Sequence, residues 1–161
     1  MMKKVLSLFQ RKIYSIKSAL DINGINIAVH PFGKDGLGKH LGIDSNQIYS
    51  FDGWEVYNAS AELAVPGILP FGANENAAEY YKTLSCYNSN LGACAFTDGH
   101  SVEVIGRSYT WLNLKTVSID NLRTAIQQNK NFNNLHMEPA KWDAFKHSVN
   151  MIKCNLSNSS A

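Results

Sequence analysis

The chain has 161 residues, enough for one domain with a real core. Hydrophobic residues make up 45% and charged residues 17%, a balance that excludes a disordered chain, and no apolar run is long enough to span a membrane. A formal net charge of +2 is too small to imply a nucleic-acid partner by itself.

Residues 2–20 are expected to form an amphipathic helix. Val5, Phe9, Ile13, Ile16 and Leu20 fall on one stripe at helical spacing, and Lys3, Lys4, Arg11, Lys12 and Lys17 occupy the other faces. Such a helix packs on its own domain, lies on an anionic membrane surface, or contacts a partner protein. As a partner surface it offers Val5, Leu8 and Phe9 as apolar anchors, with Lys12 and Lys17 on the rim. Met1–Phe9 starts like a signal peptide, but Gln10-Arg11-Lys12 cuts the apolar stretch short and no cleavage site follows. The three cysteines (Cys86, Cys94 and Cys154) share no paired spacing and read as reduced thiols of a cytoplasmic protein.

Asn23-Gly24 ends the first helix, and residues 25–30 alternate as a half-buried strand closed by Pro31. The loop that follows fits a phosphate-binding pattern through Gly33, Gly36, Gly38 and Lys39. His40 stands where that pattern needs a magnesium-binding Ser or Thr, and the strand before the loop alternates instead of reading as a buried parallel strand. The loop therefore serves as an alternative reading, a small phosphate- or nucleotide-binding enzyme.

Gln47–Phe51 and Trp54–Ala59 flank Asp52-Gly53, which predicts a hairpin. Asn74 or Asn76 can cap a helix running through Ala77, Tyr80, Tyr81 and Leu84 to about Tyr87, ended by Asn88-Ser89-Asn90. Ala93–Thr97 and His100–Ile105 flank Asp98-Gly99, a second predicted hairpin, and Gly106 allows a further reversal into a strand over Ser108–Lys115. The Ser118 hydroxyl can cap a helix beginning near Ile119, with apolar residues at Ile119, Leu122 and Ile126. Glu138-Pro139 opens a last helix whose stripe is Trp142, Phe145, Val149 and Ile152.

The expected fold is α+β. An antiparallel sheet of about six strands in two meanders is covered by the N-terminal helix, the central helix and the C-terminal helices. Residues 1–154 form a single domain and residues 155–161 a polar tail. In the predicted hairpin Cys94 opposes Glu103, and His100 points away from both Cys94 and Ser101, so no base activates either nucleophile. The five histidines show no metal spacing, and no catalytic group, metal or cofactor is expected.

The helix from Asn74, then Leu91-Gly92-Ala93, the meander, and Val117-Ser118-Ile119-Asp120-Asn121-Leu122 give an order of elements that resembles the small chaperones of bacterial type III secretion and the related sensory-transduction-regulator-like proteins. The chain departs from them in its slightly basic charge and its extra helix after Glu138. The resemblance implies a non-catalytic binder of another protein, with a secreted effector or a second copy as partner, and with neither nucleic acid nor stable membrane insertion. A toxin-immunity or adaptor protein is the further alternative.

Overall fold

The computed structural model describes residues 23–33, 36–37, 46–61, 72–99, 102 and 104–139. The two expected terminal helices lie outside them, apart from the first residues of the second, as does the polar tail. Strand β1 is Ile27–Ala28, β2 Gly53–Asn58, helix α1 Ala73–Tyr87, β3 Gly92–Phe96, β4 Ser108–Thr110, helix α2 Ile119–Gln128, and β5 Leu135–Met137.

The six-stranded antiparallel sheet is corrected. β1, β2 and β3 form a parallel sheet in that order, and β4 and β5 form a separate antiparallel pair. Parallel neighbours need a crossover, and α1 supplies it between β2 and β3. Both predicted hairpins fail for the same reason. Asp52-Gly53 is no reversal: a 3-10 turn at Asn46–Ser50 precedes it, and Gly53 opens β2 opposite Ile27 and Gly92. After Asp98 the chain returns beside β3 only at β4, where Thr110 and Ser108 meet Ala95 and Thr97 through threonine hydroxyls and not through a backbone ladder. Arg107 N–H closes a turn on the Val104 carbonyl at 3.2 Å, and the ladder partner of Cys94 is Glu55, not Glu103. Asp98 does take the left-handed conformation, with φ 53°, whereas Gly99 needs no positive φ.

The core lies between β2 and α1. Trp54 is fully buried, and its indole N–H donates to the Ala77 carbonyl at 3.1 Å. Ala28, Val56, Tyr81, Leu84, Leu91 and Ala93 pack with it, joined by Ile48 and Phe51 from the turn before β2. The cap of α1 is also corrected. Gly72, at φ 71°, stands at the N-cap, and Asn74 instead exchanges two hydrogen bonds with the backbone of Asn58 at 2.9 and 3.0 Å. Ser118 caps α2 as the sequence predicts, its hydroxyl accepting from Asn121 N–H at 3.2 Å.

α2 approaches the sheet where two glycines face it. A Cβ on Gly92 would sit 1.8 Å from the Ile126 carbonyl oxygen, and one on Gly53 would meet the Ile126 side chain at 3.1 Å. Gly92→Ala is therefore expected to force α2 off the sheet and cost about 3 kcal/mol, as overpacking against backbone does. Gly99→Ala meets only side-chain atoms, at 3.3 Å and beyond, and should stay within about 0.5 kcal/mol of the parent. Urea midpoints of the two variants check the contrast.

Candidate functional site

Two places bring side chains together. The first is an open cleft of about 480 Å³ between α2 and the strands β3 and β4, lined chiefly by Ile27, Phe96, Tyr109, Leu112, Leu122 and Ile126. The α2 stripe crosses it from surface to interior: Ile119 is exposed, Leu122 half-buried and Ile126 buried. An apolar residue continues from the lining, with Trp111 67% exposed and packed edge-on against Tyr109 at 5.5 Å.

The serine and threonine hydroxyls of the cleft are already bonded. Thr110 Oγ1 accepts from Ala95 N–H at 2.8 Å and donates to the Ala95 carbonyl at 3.0 Å. Thr97 Oγ1 donates to the Ser108 carbonyl at 2.7 Å and accepts from Ser108 N–H at 3.2 Å. Ser108 Oγ donates to the His136 carbonyl at 2.9 Å. A molecule entering the cleft therefore meets methyl and aromatic surface, which selects an apolar occupant.

The second place is the carboxyl end of the parallel sheet. Glu55 is 1% exposed. Its Oε2 accepts the His30 backbone N–H, and its Oε1 accepts from Asn58 Nδ2 at 3.2 Å. Burial pushes the Glu55 carboxyl up to about 7, Asp98 adds to the rise, and the bonds from His30 and Asn58 oppose it. A carboxyl poised there has the acidity of a general acid-base group. The space beside it is a cavity of about 10 Å³, room for one water and not for a substrate. Cys94 is no nucleophile: it is 1% exposed, and burial together with the neighbouring Glu55 pushes its thiol up to about 12.

Of the residues singled out in the sequence, Val5, Leu8, Phe9, Lys12, Lys17, Gly38 and Lys39 lie outside the described residues. Gly33 and Gly36 sit in the turn after β1. Gly33 N–H donates to the His30 carbonyl at 2.8 Å and Gly36 N–H to the Gly33 carbonyl at 3.1 Å. A phosphate cradle needs such amides free, and here they close the turn on itself. The sequence reasoning missed Glu55, which alternates between Trp54 and Val56 and so reads as solvent-facing. It also missed the cleft, for which only the α2 stripe was a signal.

Among the described residues no group of His, Cys, Asp and Glu could hold a metal ion, and no helix is long and apolar enough to cross a membrane. No protein-family model, curated protein or solved structure matches this chain.

Two expectations follow. In the folded protein iodoacetamide should leave Cys94 unmodified at neutral pH, because it is buried and protonated, and should modify it only after denaturation; mass spectrometry of the peptides reads this out. The second concerns pH. The Glu55 carboxyl keeps its proton in the fold up to about 7, whereas its ordinary value is 4.5. The fold thus binds the extra proton between those values. The contribution is full below the lower one and is lost as pH rises through the upper. Stability should fall by about 3 kcal/mol between pH 4.5 and 8 on this account. Urea midpoints of the parent and of Glu55→Gln across that range isolate the part belonging to Glu55.

Proposed function

We propose that this chain is a non-catalytic protein-binding module of the chaperone, adaptor or immunity kind, working in the cytoplasm, and that its cleft receives a short apolar segment of another protein. The observation that supports this is the cleft itself: about 480 Å³, open, apolar, with its serine and threonine hydroxyls bonded internally. A helix stripe with Ile119 exposed and Leu122 half-buried is an amphipathic face with part of its apolar surface unpaired, the form that grooves for peptide segments take. Trp111, Val117 and Ile119 are exposed apolar residues, interspersed in the sequence with polar Lys115, Asp120 and Asn121. The exposed thiol of Cys86, unpaired, suits a reducing compartment.

The test uses a fluorescein-labelled, leucine-rich amphipathic dodecapeptide as probe, titrated with the full chain and followed by anisotropy. Saturable binding that Leu122→Glu weakens more than tenfold, with the circular dichroism spectrum unchanged, is the expected result, since a charge in an apolar pocket costs several kcal/mol (about 2–4). Binding equally strong in Leu122→Glu, or no saturable binding, overturns the proposal. Laurate that binds in the cleft while the peptide fails to compete makes it a small-ligand site. Saturable binding of ATP–magnesium favours the loop after β1 instead.

A further inference from the structure

Apart from the cleft, the exits of all three parallel strands meet at one buried carboxyl. Glu55 Oε2 accepts the backbone N–H of His30, which follows β1. Glu55 Oε1 accepts from Nδ2 of Asn58, the last residue of β2, and the same Nδ2 lies 3.3 Å from Oδ2 of Asp98, which follows β3. His30 and Asp98 both have positive φ, at 31° and 53°. That conformation is uncommon outside glycine, though aspartate and histidine take it more readily than most residues.

Asn58 is itself pinned. Its backbone exchanges bonds with the Asn74 side chain, and its Oδ1 accepts from Ala61 N–H at 3.0 Å. The member of this network that can change state is therefore the Glu55 carboxyl. Against it lies the small cavity bordered by His30, Phe32, Gly33, Asn58 and Asn74, large enough for one water.

We propose that Glu55 is a proton-operated latch. With the carboxyl neutral it stays buried and keeps the turn of residues 29–33 docked on the carboxyl end of the sheet. Ionised, it needs more water than the cavity holds and loosens that turn.

Among the described residues, the titratable and charged groups around Glu55 are few. From the β3 side they are Cys94 and Asp98, and from the β1 exit His30, whose contact is its backbone N–H. α1 contributes Ala73, Asn74 and Ala77 to the cavity wall, and its charged residues Glu75, Glu79 and Lys82 are exposed. Asp98 opposes ionisation of Glu55, which sharpens the contrast between the two states. A neutral Glu55 can donate its proton to a cavity water, so neither state leaves an oxygen without a partner.

The experiment is amide exchange by NMR, expressed as protection factors so that the intrinsic pH dependence of exchange is removed. In the parent, protection of the amides of residues 30, 32 and 33 should fall at least tenfold between pH 6 and 8, with a single-proton midpoint near 7, while those of Val56 and Leu84 hold. Glu55→Gln should keep the turn protected throughout. His30→Ala should retain the transition, because only the backbone N–H of His30 takes part. Constant protection in the parent overturns the latch, and so does loss of the transition in His30→Ala. If Glu55→Gln fails to fold, the carboxyl carbon shift of Glu55 in the parent decides: a midpoint below pH 5 overturns the latch, and one near 7 together with the turn's loosening supports it.

Discussion

The side chain of Asp52 is the joint on which the described fold depends. Its Oδ2 accepts Asn26 N–H at 3.0 Å, beside β1, and its Oδ1 accepts from Gln127 Nε2 at 2.7 Å, on α2. Arg123 Nε lies 3.6 Å from the same oxygen. The backbone of Asp52 donates to the Asn26 carbonyl at 2.8 Å and accepts from Gly92 N–H, at the start of β3, at 2.9 Å. One residue thus ties the amino ends of three strands to a helix residue 75 positions away. The Asp52 side chain is largely buried, so its charge is tolerable only because these donors surround it. Arg123 extends the joint, its Nη2 donating to the carbonyls of Asn23 and Gly24 at 2.7 and 2.8 Å.

That joint also explains how much of the fold was legible. α1 and α2 were readable because their apolar periodicity is local, and Ser118 caps α2 by a bond three residues long. Strand direction was not. Asp-Gly was read twice as a hairpin turn, a rule that presumes the aspartate is occupied by its own turn. Asp52 is occupied by β1 and α2 instead, and Asp98 faces Asn58 across the sheet. These partners are 26 to 75 residues away, so no local pattern could reveal them. The strand pattern misled for a related reason. β2 is buried along nearly its whole length, yet Glu55 and Asn58 interrupt its apolar run. A polar residue inside a central strand looks like solvent alternation unless its buried hydrogen bonds are known. The candidate site followed suit: the Gly33 and Gly36 amides matched a motif whose chemistry needs them free, and the three-dimensional turn uses them up.

The outer edge of β3 shows how a short sheet ends without a fourth strand. Ala93 N–H donates to the Asn129 carbonyl and the Ala93 carbonyl accepts from Asn129 Nδ2, both at 2.7 Å. Ala95 is closed in both directions by Thr110 Oγ1. Exposed strand edges recruit other chains, and here side chains satisfy the edge where a ladder would otherwise form. One hydroxyl and one amide are a local solution, placed by β4 and by the residue that ends α2.

The cleft is a consequence of that solution. A backbone ladder would set β4 about 4.8 Å from β3. A threonine side chain interposed between the two backbones holds them further apart. α2 cannot move in to fill the space, because its Ile126 carbonyl already rests on Gly92, where even a methyl group would collide. The strands stand off on one side, the helix is stopped on the other, and the apolar stripe from Ile119 to Ile126 is left partly uncovered between them. Leaving Leu122 half-exposed forgoes about 1 kcal/mol of burial that a filled core would gain. The wall of that gap presents no unbonded serine or threonine hydroxyl. The edge of β3 is thereby closed at Ala93 and Ala95, and the apolar surface left uncovered is the gap beside it.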